Sequence, residues 1–72
     1  MFNIELSKLL KNMKSKSLVK ILLEDGNGTK TISEGKVKDI LKSKEFHKHE
    51  RDRVFKTQEF GDIVVLVISL DM

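Results

Sequence analysis

Two histidines flank a lysine in His47-Lys48-His49, and Glu45, Glu50 and Asp52 stand close by. Imidazole nitrogens and carboxylate oxygens are ligands that zinc accepts, and on an extended backbone residues i and i+2 point to the same side. A zinc site needs four ligands, or three and a water, at fixed spacing. The carboxylates here have no fixed spacing relative to the pair, so the segment reads as an exposed polar loop. Nucleophilic catalysis has less to work with. No Gly-x-Ser-x-Gly elbow sets a serine on a strained turn, and the absence of cysteine removes thiolate nucleophiles, thiolate metal sites and disulfides together. The paired carboxylates Glu24-Asp25 adjoin a turn and lack the apolar surroundings that a general acid needs.

The turn itself, Asp25-Gly26-Asn27-Gly28 with Glu34 downstream, resembles part of an EF-hand calcium loop. With Asp25 at loop position 3, Asn27 falls at position 5, Gly28 at the glycine position and Glu34 at the bidentate position. Position 1, which should supply a carboxylate, is Leu23, and the apolar position 8 is Lys30. The segment therefore reads as a hairpin turn. It is not a phosphate-binding loop either, because no Lys-Ser/Thr directly follows the last glycine. No catalytic residue, metal ligand or cofactor site is assigned, and the chain reads as a non-enzyme.

One constellation has a physical use without a catalytic motif. Lys36, Lys38, Lys42, Lys44, Lys48, Arg51, Arg53 and Lys56 form a basic tract that could contact nucleic acid or an acidic partner. Lysine supplies sequence-independent affinity for phosphate, whereas base readout favours Arg, Asn or Gln and stacking needs exposed aromatics. With two arginines and no Tyr or Trp, such binding would be non-specific and salt-sensitive. Asp39, Glu45, Glu50 and Asp52 blunt it.

The 14 basic and 11 acidic residues leave a net charge of only +3, unevenly spread. Residues 1–20 are net +4, 21–35 net −2, 36–56 net +4 and 57–72 net −3. Two basic blocks can meet in space and attract anions; the bland alternative is two ordinary solvated faces. Twelve lysines with no alanine, proline or tryptophan also fit a low-GC genome, of the kind that encodes bacterial, phage or mobile-element accessory proteins. That codon bias weakens any argument from lysine number alone. Lys8, Lys11 and Lys14 interrupt the early apolar residues, so no signal peptide is expected, and no run approaches a membrane span. The expectation is a soluble cytoplasmic protein.

Seventy-two residues make a single domain, with a core that is marginal at this size. Phe2, Leu6, Leu9, Leu10 and Met13 fall on one helical arc, predicting an amphipathic helix at 4–14 with Asn3 as cap. Leu18 to Leu23 reads as an apolar strand, turning at 25–28 into a polar return strand at 29–32. Ser33 is a plausible cap for a second helix at about 34–44, carrying a thin stripe of Val37, Ile40 and Leu41. Residues 53–60 alternate as a polar strand, Gly61-Asp62 turns, and 63–70 follows with seven of eight residues apolar.

The expected fold is α+β in α-β-β-α-β-β order. A four-stranded antiparallel sheet would have the apolar strands 18–23 and 63–70 at its centre and two helices packed on it, on one face or one on each. Successive strand residues face opposite sides, so 63–70 needs cover on both, and a small chain with one thinly apolar helix supplies it poorly. The functional expectation is a small protein-interaction module, a regulator or inhibitor acting through a homodimer or another protein partner and not at a membrane. The alternative is a non-specific nucleic-acid-binding protein using the tract 36–56.

Overall fold

The computed structural model describes residues 4–69. The chain runs β1 (Ile4–Glu5), α1 (Leu6–Lys11), β2 (Leu18–Glu24), β3 (Thr29–Lys36), α2 (Val37–Ile40), α3 (Lys44–His49), β4 (Arg53–Phe60) and β5 (Ile63–Ser69). The class is α+β. One sheet has the order β1-β4-β5-β2-β3, so the two apolar strands are neighbours in its interior and polar strands flank them.

The sheet departs from the expected antiparallel four in two ways. A short fifth strand, β1, sits outside β4, with Ile4 opposite Val54 and Glu5 opposite Arg53. And β2 pairs with β5 in parallel, from Leu18 opposite Ile63 to Glu24 opposite Ser69. The hairpins β2–β3 and β4–β5 are antiparallel. Hydrophobicity dictates which strands lie inside a sheet; it says nothing about their direction. The parallel junction has a structural use. β3 finishes at Lys36, beside Leu18, whereas β4 begins at the other end of the sheet. Residues 37–52 must therefore travel roughly 20 Å along the strands and about 14 Å across them, which lays α2 and α3 over one face. An antiparallel junction would start β4 where β3 ends and leave that face bare.

The segment between β1 and β2 makes a similar crossing and carries α1 over the same face. Backbone hydrogen bonds stitch the two crossings together at both ends. Val37 N–H donates to the Ser17 carbonyl at 3.0 Å and Lys38 N–H to that of Ser15 at 3.1 Å. At the opposite end Leu6 N–H donates to Asp52 at 2.8 Å and Ser7 N–H to Glu50 at 3.0 Å.

The helices are shorter and more numerous than the spacing predicts. Strand pairing takes Ile4 and Glu5 out of the first helix, which ends at Lys11. The second predicted helix loses residues 34–36 to β3, because β2 offers pairing partners as far as Lys36. Ser33 is consequently a ladder residue opposite Ile21 rather than a cap. The side-chain cap is Ser43, whose Oγ accepts a hydrogen bond from Phe46 N–H at 3.1 Å. It starts α3 in the stretch expected to be a polar loop, and Phe46 enters the core at 2% exposure. Asn3 and Leu70 lie outside the described residues.

Gly61 carries φ +61° at the first position of the two-residue turn between Phe60 and Ile63, as a type II′ hairpin turn requires. In the other hairpin the positive φ angles belong to Gly26 and Gly28, not to Asn27. Asn27 N–H instead donates to Asp25 Oδ1 at 3.0 Å, closing a local turn.

All three helices cover one face. Leu6, Leu10, Val37, Ile40 and Phe46 pack on Val19, Ile21, Leu23, Val54, Leu66 and Ile68 in a single buried cluster. Val65 and Val67, each 7% exposed, are buried but stand outside that cluster. Strand alternation puts them on the opposite side of the sheet.

Candidate interaction surfaces

That opposite side has no layer over it among the described residues. Its composition follows from the register. β5 contributes Ile63, Val65 and Val67; β2 contributes Leu18, Lys20, Leu22 and Glu24. β4 adds Lys56, Gln58 and Phe60, and β3 adds Thr29, Thr31, Glu34 and Lys36. An apolar strip down β5 and β2 is thus rimmed by polar and charged residues. Lys20 interrupts the strip, directly opposite Glu34 on β3. Phe60 is 61% exposed and Leu18 38%, one on each side of Ile63. A shallow depression of about 400 Å³ is lined by Lys20, Leu22, Glu34, Gln58, Phe60, Ile63 and Val65.

The eight basic candidates do not form one surface. All are exposed. Lys38 lies on α2, Lys42 on the turn after it, Lys44 and Lys48 on α3, and Arg51 in the loop before β4, so these five belong to the helical layer. Lys36 and Lys56 lie on the open sheet face, and Arg53 pairs with Glu5 at the start of β4. The helical layer gains others in exchange: Lys8, Lys11, Lys14 and Lys16 come from α1 and the loop after it.

The two basic blocks therefore do meet, in the helical layer, and charge divides cleanly between the layers. Residues 6–17 and 37–52 hold nine Lys/Arg against four Asp/Glu, a surplus of +5. Residues 18–36 and 53–69, the long strands and their turns, hold five of each and are neutral. Glu5 and Asp71 bring the total to +3.

The histidine pair is helical rather than extended. Residues two apart on a helix point about 200° apart, so the rings diverge. Each closes on its own carboxylate one turn onward: His49 Nδ1 lies 2.8 Å from Asp52 Oδ2, and the exposed His47 Nδ1 lies 3.6 Å from Glu50 Oε1. The His49–Asp52 contact braces the loop whose Glu50 and Asp52 carbonyls receive the start of α1. Glu34, the would-be calcium ligand, is a β3 residue opposite Lys20, while Asp25 is in the hairpin loop beyond the far end of that strand.

Among the described residues no helix is long and apolar enough to cross a membrane. Comparison with protein-family models, with curated proteins and with solved structures finds no match in any of the three.

The exposure of Phe60 and Leu18 is what sequence reading missed. Its signal was present in the alternation of Lys56, Gln58 and Phe60, and it becomes readable once these residues register with Val67, Val65 and Ile63.

Proposed function

We propose that this chain is a non-enzymatic protein-interaction module that acts by presenting the open face of its sheet to a protein partner, as a regulator or inhibitor that occupies a surface. One observation carries the reading: Leu18, Leu22, Phe60, Ile63, Val65 and Val67 form an apolar strip, broken only by Lys20, with no layer above it among the described residues. An apolar centre inside a polar rim is the anatomy of a specific interface, and monomeric domains rarely leave such a strip uncovered. Affinity retention from native cells tests it, comparing wild type with Phe60→Glu and with Lys44→Glu/Lys48→Glu. A protein partner, a second copy included, should be lost with Phe60→Glu and kept with the helical-layer variant. Retention that ignores Phe60→Glu sinks the reading.

The surplus of +5 on the helical layer favours a second reading, non-specific binding of nucleic acid. Lysines at this density attract phosphates through counterion release, with affinity that falls steeply as salt rises. DNA and RNA titrations at roughly 20 and 200 mM salt decide it: binding that weakens strongly with salt and with Lys44→Glu/Lys48→Glu supports it, and absence of binding at the lower salt removes it.

A further inference from the structure

We propose that the occupant of the open sheet face is a second copy of this chain, packed face to face about a two-fold axis running along β5, with the two cationic helical layers outermost. This rests on the reading of that face as a protein-binding surface. Three features of the face select this occupant.

The first is charge. The molecule's positive surplus lies mainly on the helical layer, and the open face mixes Lys20, Lys36 and Lys56 with Glu24 and Glu34. A strongly acidic or strongly basic partner gains little from such a face, whereas a face of mixed sign suits itself. Placed back to back, the two copies also hold their cationic layers as far apart as the assembly allows, which limits self-repulsion.

The second is size. The axis stacks the three strands that carry the strip, β4, β5 and β2. About 4.8 Å apart, with three or four outward residues each about 6.8 Å apart, they span roughly 14 by 24 Å, or about 340 Å² in plan. Specific interfaces bury about 600–1,000 Å² of accessible surface per partner, so even with the relief of its side chains this contact sits at the low end, as a weak dimer does. A peptide strand would leave most of the strip wet; another sheet of the same dimensions covers it, as in aligned sandwiches about 10 Å thick.

The third is register. β5 is the middle strand of five, and a two-fold axis along it sets β5 over β5 of the second copy and β4 over its β2. Val65 and Val67 then meet their own counterparts. Phe60 falls over Leu18, since both are level with Ile63. Phe60, 61% exposed, is thereby covered by Leu18 of the second copy. Lys56 falls over Leu22, where its methylene stem can lie along the leucine.

Sedimentation equilibrium should show a monomer–dimer equilibrium between 8.3 kDa and twice that mass, with a dissociation constant on the order of 1–100 μM for so small an area. Phe60→Glu should raise that constant about a hundredfold while the circular dichroism spectrum stays native. The chain has no cysteine, so Leu18→Cys and Phe60→Cys chains can be mixed and oxidised. Disulfides between the two variants should outnumber those within either, and Lys44→Cys should form none with them. A dimer that survives Phe60→Glu, or that links through other positions such as the outer edge of β4, overturns this geometry. A chain monomeric up to about 1 mM overturns the second copy. If such a monomer still retains a different protein that Phe60→Glu releases, the interaction reading stands without it; if it retains none, both fall.

Discussion

The assignment of all three helices to one face of the sheet can be tested with one substitution made twice. Val54 and Val67 are both buried strand valines, 0% and 7% exposed, on neighbouring strands β4 and β5. Val54 belongs to the cluster beneath the helices, and Val67 does not. Valine to threonine keeps the shape and exchanges a methyl for a hydroxyl. The core holds no buried polar group among the described residues, so at Val54 the hydroxyl is desolvated without a side-chain partner, at a cost of about 1–3 kcal/mol. At Val67, buried but outside that cluster and bordering the open face, the hydroxyl is less enclosed, and the cost should be smaller, about 0.5 kcal/mol. A domain of this length has a total stability of roughly 4–10 kcal/mol, so the first loss is a large fraction and the second is not. Urea unfolding followed by circular dichroism at low micromolar protein reads both. With a slope near 1 kcal/mol/M, Val54→Thr should lower the midpoint by about 1–3 M and Val67→Thr by about 0.5 M. Equal losses, or a larger loss at Val67, would refute the one-sided helical layer.

Other positions give simpler outcomes. Phe46→Ala empties the site of the largest side chain in the core and should cost about 3–5 kcal/mol, enough to unfold much of the population; Phe60→Ala, on the open face, should leave the urea midpoint nearly unchanged at low micromolar protein. Ser43→Ala removes the hydroxyl that caps α3 and should cost about 1 kcal/mol, with Ser43→Thr recovering most of it. Gly61→Val forces a branched side chain into φ +61° and should cost about 1–2 kcal/mol by the same urea assay, while Asp62→Ala, beside it in the turn, should stay within about 0.5 kcal/mol.

How much of this was legible in the residues depends on which physical quantity each residue reports. Val, Ile and Leu at 18–23 and 63–68 report burial, and both runs lie in interior strands. Gly61-Asp62 reports turn geometry, and the hairpin closes there. Ser33 misled because a serine before Glu34 is an equally good cap or ladder residue; the choice was made by Leu18, Val19 and Lys20 on another strand, which extend β3 to Lys36. Phe46 was read as loop because His, Lys and Glu surround it, yet a single aromatic suffices to anchor a six-residue helix once Ser43 caps it. Parallel pairing of β2 and β5 left no local trace, since direction is decided by the path of residues 37–52. The basic tract was visible as a run of charges, but its division between two faces depends on where helix gives way to strand at Arg53.

That division bears on the strand at the centre of the sheet. A strand covered on one side needs apolar residues only at alternate positions. β4 follows this economy: Lys56 and Gln58 occupy the open face at the same levels. β5 does not, and its outward residues are as apolar as its inward ones. Low-GC coding does not account for the contrast, because lysine codons are as AT-rich as isoleucine codons and lysine is abundant elsewhere in the chain. The helices pack on the inner side of the sheet. The outward apolarity of Ile63, Val65 and Val67 is the feature that the proposed docking along the middle strand would account for.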